Sequence, residues 1–181
     1  ATALAVADDS TSKKVWQRSM EPDRVRTCTI GIEPDIERYW YITFTLTNED
    51  QEDHSFFLEV SADSDKKHSY RNLSNPIVLA KVRKRLGFRE GDKLWDAADL
   101  TTNHAETDVN AAFPRSLDLP VIKAGEKARC VAIFKGPDDE ADRITVSFRG
   151  LSNDVQSIKT GTPNERKLIE RVFQLSYERP G

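Results

Sequence analysis

The stretch from Arg38 to Asn48 leaves the chain few folds to choose from. Trp40, Ile42, Phe44 and Leu46 alternate with Tyr39, Tyr41, Thr43, Thr45 and Thr47. Strand side chains point to opposite faces with period two, so one face is bulky and apolar and the other aromatic and threonine-rich. Aromatic and β-branched residues suit a pleated, half-buried surface. The next five residues, 49–53, are all polar and carry four carboxylates, Glu49, Asp50, Glu52 and Asp53, as a solvated turn would. Ser55 to Val60 then reads as a second arm. The expectation is an antiparallel hairpin with one face turned to a core.

The same period recurs along the chain. After a turn at Met20–Asp23, the segment Arg24–Ile32 reads as a strand pointing Cys28 and Ile30 inward. His68–Leu73 reads as a short strand. Lys127–Lys135 is apolar on both faces, with Ala128, Cys130, Ala132 and Phe134 against Val131 and Ile133, as in a central strand. Arg143–Arg149 follows it as the return arm of a second hairpin. Lys167–Tyr177 closes the chain as a strand, with a helix over 164–174 as the competing reading. One segment changes period: Asn75-Pro76 is an N-cap followed by a first-turn proline, and Ile77, Val78, Leu79, Val82 and Leu86 form a stripe at helical spacing that Gly87 ends. Phe88–Arg115 has no clear period, which in a small domain often marks a functional segment. Seven to nine short strands with one inserted helix predict an all-β fold, an immunoglobulin-like antiparallel β-sandwich with a helix at about 75–87 and a long irregular segment.

A length of 181 residues fits one domain, expected over 15–181 with an insertion at 75–115, after a flexible 1–14. The net charge of -3 disfavours a nucleic-acid binder, which would carry a basic excess. No run approaches the roughly 20 apolar residues that span a bilayer. The small residues of Ala1–Ala7 follow the Ala-x-Ala pattern at the end of a secretory signal, so export is expected, against the alternative of a cytosolic domain.

Several residue sets could carry chemistry. Cys28, Trp40 and Cys130 stand in the order of an inter-sheet disulfide with a tryptophan packed on it, the alternative being two buried free thiols. The spacing is longer than in an immunoglobulin domain, and Ala128 stands where the tyrosine corner would be. His54, His68 and His104 are scattered and make no metal-ligand pair. Glu49, Asp50, Glu52 and Asp53 could bind Ca²⁺ if their turn met Asp138 and Asp139, the alternative being solvated turns; no cofactor is otherwise implied. Lys81, Arg83, Lys84, Arg85 and Arg89 make a basic helix face that suits an acidic partner or plain solvation. Tyr39 and Tyr41 could stack on sugar rings, or lie beneath the helix, whose stripe needs an apolar surface. Trp95, Asp96, Asp99 and His104 cluster in the irregular segment and could rim a site. Asn72-Leu73-Ser74 fits an N-glycosylation acceptor.

The segment from Ile144 to Ser152, continued through Leu175 to Gly181, resembles the ends of uncharacterised exported bacterial proteins with immunoglobulin-like sandwiches, and the stretch Tyr41–Val60 is similar in style. Together they cover about half the chain. The resemblance implies a secreted or envelope-tethered module and brings no catalytic residue with it. The expected function is therefore a non-enzymatic, extracytoplasmic binding or structural module with a protein or glycan partner. The rival is a carbohydrate-binding module or enzyme that uses residues 88–115 as a rim.

Overall fold

The computed structural model describes residues 18–55, 58–102, 121–136, 140–151, 155–159, 166–170 and 172–178. In chain order the elements are β1 (Arg18–Ile30), β2 (Glu37–Asn48), β3 (His54–Ser55), β4 (Glu59–Ser64), β5 (Ser69–Arg71) and α1 (Pro76–Arg85). After them come β6 (Trp95–Asp96), α2 (Ala97–Thr102), β7 (Val121–Ile122), β8 (Lys127–Lys135), β9 (Arg143–Arg149), β10 (Val155–Lys159), β11 (Arg166–Glu170) and β12 (Phe173–Glu178). Two four-stranded sheets dominate. The first has the order β1-β2-β8-β6 and the second β12-β9-β4-β5, while β10–β11 and β3–β7 are small ladders of their own. All pairs are antiparallel except β6 with β8, which is parallel.

The two sheets pack face to face. The apolar face of β2 (Trp40, Ile42, Phe44, Leu46) and that of β8 (Ala128, Cys130, Ala132, Phe134) meet Val60 and Ala62 of β4 and Ile144, Val146 and Phe148 of β9 in one buried cluster. Phe44 and Phe148 sit edge to face with centroids 5.2 Å apart, a favoured aromatic geometry. Ala97 and Leu100 of α2 join this cluster. A second cluster lies on the opposite face of the first sheet. Cys28, Tyr39, Tyr41, Val131 and Ile133 there meet Val78 and Val82 of α1 and Leu94. The layers are therefore helix, sheet, core and sheet.

The helix forms as the local signals dictate. Asn75 is extended, and its side chain accepts hydrogen bonds from the N–H groups of Ile77 and Val78, satisfying donors the first turn leaves open. Gly87, at φ +71°, carries the chain out of the helix in the left-handed region. Gly31, at φ +101°, is required by the β1–β2 turn, where an added Cβ would lie 2.2 Å from the carbonyl oxygen of Asp35.

Four expectations change. The arms Arg38–Asn48 and Ser55–Val60 do not form a hairpin: β2 pairs with β1 and β8, whereas β4 pairs with β5 and β9. The acidic turn and β3 carry the chain from one sheet to the other. The same holds for β8 and β9, which face each other across the core. Met20–Asp23 is not a turn but part of β1, which shifts register between Pro22 and Val25; a bulge of this kind lets an edge strand carry a proline. The closing segment is strand as expected, in β11 and β12, and not the competing helix. The irregular segment resolves in part into β6 and α2, and residues 103–120, including His104, lie outside the described residues.

Candidate functional site

The outer face of the first sheet is closed. Tyr39 and Tyr41 are each 2% exposed, so neither is a platform for a sugar ring. The Tyr39 hydroxyl donates to Glu37 Oε2 at 2.6 Å and accepts from Asn75 Nδ2 at 3.2 Å. Arg85 donates from Nη1 to the Tyr41 hydroxyl at 3.2 Å and to the Thr27 carbonyl at 2.8 Å. Lys81 Nζ donates to the Thr29 carbonyl at 2.7 Å. Residues four apart on a helix rise about 6 Å and residues two apart on a strand about 6.7 Å. One flank of α1 thus matches alternate carbonyls on β1. Lys81 and Arg85 of the basic helix face are hydrogen-bonded to the sheet, and Arg83 reaches the Arg89 carbonyl and lies over the Phe88 ring.

Below the helix, this face is polar. Arg129 pairs with Asp23 of the bulge, Thr43 donates its hydroxyl to the same carboxylate, and Arg129 also reaches Thr45 at 2.9 Å. These groups satisfy one another and hold the bulge to the sheet. Tyr177 of β12 donates to the Asp23 carbonyl at 3.2 Å, which ties the edges of the two sheets together.

The cysteines do not bridge. Both are buried and free. Cys28 pairs with Tyr39 on the helix side of the first sheet, and Cys130 pairs with Phe44 on the core side of that sheet. Two thiols on opposite faces of one sheet cannot meet, since a disulfide needs Cα atoms within about 7 Å and Cβ vectors that converge. Burial pushes the Cys130 thiol up to about 12, so it stays protonated and inert.

The described residues flanking the two acidic clusters lie apart. The 49–53 turn sits where β2 ends and β8 begins, since the Asn48 N–H bonds the Glu126 carbonyl. Residues 135–136 lie at the other end of the same ladder, where the Gly136 N–H bonds the Arg38 carbonyl. Nine residues of β8 separate them, about 30 Å of strand. Asp138 and Asp139 themselves lie outside the described residues. Asp50 is 6% exposed, with its Oδ2 2.6 Å from His54 Nε2, and Asp53 Oδ1 accepts from the Ala124 N–H. These carboxylates hold the sheet-crossing turn to the 123–126 turn, together with Asn48, which donates to the carbonyls of Glu52 and Ile122. Among the described residues no three His, Cys, Asp or Glu side chains converge as metal ligands, and Glu49 and Glu52 are exposed.

In the irregular segment, Trp95 faces the core and Asp96 the helix side. Trp95 is half-buried with Lys93 Nζ 3.5 Å from its ring centroid. Asp96 is 1% exposed and its Oδ1 accepts from the Ala98 N–H at 2.9 Å, as a cap for α2. They lie on opposite faces of β6 and form no common rim; Asp99 lies in α2. Asn72 turns its side-chain carbonyl to the Ile133 N–H at 3.1 Å, and its Nδ2 is buried. That nitrogen is the one a glycan would need.

The open surface is the outer face of the second sheet. Register places Ser61, Ser147 and Gln174 in one row, and Asp63, Thr145 and Ser176 in the next. Glu59–Arg149 and Arg143–Glu178 flank them as opposite-charge pairs, and Arg71 and Ser69 on β5 extend the two rows. All are exposed except Ser61 and Thr145, which are half-exposed, and Ser147, which is buried beneath Gln174. Internal bonds fix the rotamers. Gln174 donates to Ser147 at 3.0 Å, Thr145 and Ser176 hydroxyls lie 3.1 Å apart, and Ser69 donates to Asp63 at 2.5 Å. At one end of the face Asp65, Asp142, Arg143 and Glu178 line a cleft of about 530 Å³. Four strands at about 4.8 Å spacing make a platform roughly 15 Å wide. Such a surface can exchange many hydrogen bonds with a flat partner. The sequence did carry a signal for it: Thr145, Ser147, Gln174 and Ser176 are the polar alternates of two amphipathic strands.

The fold and this face define the class: an all-β, two-sheet sandwich with one sheet faced by a helix and the other bare among the described residues. Compared with protein-family models, curated proteins and solved structures, the chain finds no match in any of the three.

Proposed function

We propose that the protein is a non-enzymatic binding module that recognises a protein or glycan surface through the bare face of its second sheet, outside the cytoplasm. The observation that carries this reading is the contrast between the two outer faces. The first is filled by Tyr39, Tyr41 and α1, and the second presents Asp63, Thr145, Gln174 and Ser176 on a rigid scaffold. Rigid polar groups lose little entropy on binding, which is how a flat interface gains affinity.

We also propose that the sandwich is immunoglobulin-like in plan. Taking β1, β2, β4, β5, β6, β8, β9 and β12 as strands A, B, C, C′, D, E, F and G, the sheets read A-B-E-D and G-F-C-C′, the orders of that architecture. The departures are β6, parallel to β8, α1 inserted between C′ and D, and cysteines on A and E where the bridged pair would join B and F.

The test is binding of the chain to printed glycans and to a library of extracellular protein ectodomains, with wild type beside folded Thr145→Arg, Lys84→Ala and Trp95→Ala variants. The reading expects a binder whose affinity falls at least about tenfold with Thr145→Arg, the size of one disrupted interface contact, and is unmoved by Lys84→Ala. No binder, or a binder indifferent to Thr145→Arg and lost in Trp95→Ala, would contradict it; the latter outcome supports the rim of residues 88–115 instead.

A further inference from the structure

A sandwich exposes strand edges, and an unprotected edge is a template for another strand. This molecule treats its edges unequally. On β1, Lys81 and Arg85 occupy the carbonyls of Thr29 and Thr27, and Pro22 lies at the register shift. At the far edges β5 has three residues and β6 two. Among the described residues β12 is the other edge of the second sheet, with six residues, Phe173 to Glu178. It contains no proline, no lysine and no register shift against β9. A strand paired on one side turns every second residue's N–H and C=O outward.

The core is also thin along this edge. Ile144, Val146 and Phe148, which face the core from β9, are 3% exposed or less. Their neighbours on β12 are not sealed: Phe173 is 40% exposed, and Leu175 and Tyr177 are half-buried. A further strand would cover them.

We propose that β12 is a docking edge for a second copy of this chain, joined antiparallel through a two-fold axis at Leu175. An added strand must keep core-facing residues on the core side, so residues directly opposite must share a face. Setting Leu175 against itself meets this condition. It places Phe173 opposite Tyr177 of the other copy, an aromatic pair, and Gln174 opposite Ser176, a hydrogen-bonding pair. No like charges oppose each other over 173–177. The two second sheets become one eight-stranded sheet, β5-β4-β9-β12 continued through its two-fold copy, with both polar faces on one side. This self-pairing does not depend on what the face binds.

One strand pair is a small interface, below roughly 1,000 Å², so the dimer is concentration-dependent. Sedimentation equilibrium of the whole chain from about 5 to about 500 µM spans the range in which such an interface titrates. The weight-average mass is expected to rise from 20.5 kDa toward twice that value. The variant Q174K/S176K sets lysine against lysine across the axis and is expected to stay monomeric throughout. The variant Q174K/S176E sets lysine against glutamate and is expected to dimerise at least as well as wild type. Both substitutions lie on the exposed face, and circular dichroism confirms folding of each variant. A wild-type mass that stays at 20.5 kDa, or a folded Q174K/S176K chain that dimerises like wild type, overturns the proposal.

Discussion

Glu37 holds two partners at once. Lys135 donates to its Oε1 at 2.7 Å and Tyr39 to its Oε2 at 2.6 Å. The Lys135 bond first, and the Tyr39 bond second, hold the Glu37 carboxyl below its ordinary range. The same bond to Glu37 raises Lys135 and Tyr39 above theirs. The signs follow by linkage. A depressed carboxyl stabilises the fold above its unfolded pKa, and that contribution is lost as pH falls through the folded value. The raised ammonium and phenol stabilise below their unfolded values and lose that contribution as pH rises through the folded ones. Glu37→Gln should therefore lower the melting temperature slightly at neutral pH and converge on wild type in acid. Thermal melts from pH 3 to pH 8 check this, and a constant offset at every pH would contradict it. The Tyr177 phenol is raised to about 12, by burial first and by Asp23 second. In a phenolate absorbance titration of the folded chain, Tyr177→Phe should remove a late-titrating tyrosine.

At the level of elements, α1 was legible because its signals are local. Asn75, Pro76 and Gly87 act on the backbone within one turn, and Val78 and Val82 supply the buried pair. Ile77 fell on the same stripe in the sequence but is 57% exposed, because it shares the flank of Lys81 and Arg85, four and eight residues on, rather than that of the buried Val78 and Val82. Asn75→Ala removes two capping bonds to Ile77 and Val78 and should cost about 1 kcal/mol in urea denaturation. The stripe also foretold the fate of Tyr39 and Tyr41, since a helix with an apolar flank must cover something. The reach of Lys81 and Arg85 to β1 had no local signal: it depends on which strand lies beneath, and four other strands separate that strand from the helix in the chain.

At the scale of the whole molecule, the alternation in β2, β8, β9 and β12 was legible and their partners were not. A strand with one apolar face reads the same whether its neighbour in sequence lies beside it or across the core. Both misread hairpins are of this kind, and the consecutive strands in them change sheet. The cysteines failed for a related reason. Cys28 and Cys130 are both on strands and both buried, but their faces depend on the register of β1 after its bulge, which no short-range pattern states. The contact across the sheets should dominate stability. Phe148→Ala removes the partner of Phe44 from a fully buried site and should cost about 3–5 kcal/mol in the same denaturation assay.

The central claim is that both faces of the first sheet are covered while, among the described residues, the outer face of the second is bare, and three thiols test it together. Cys28 lies under α1, Cys130 lies between the sheets, and Asp63→Cys would place a third on the bare face. With a maleimide at neutral pH, the folded wild type should take no label and the folded Asp63→Cys chain one. After unfolding in urea the counts should be two and three. Label on Cys28 or Cys130 in the folded chain, or protection of the thiol at position 63, would contradict the arrangement.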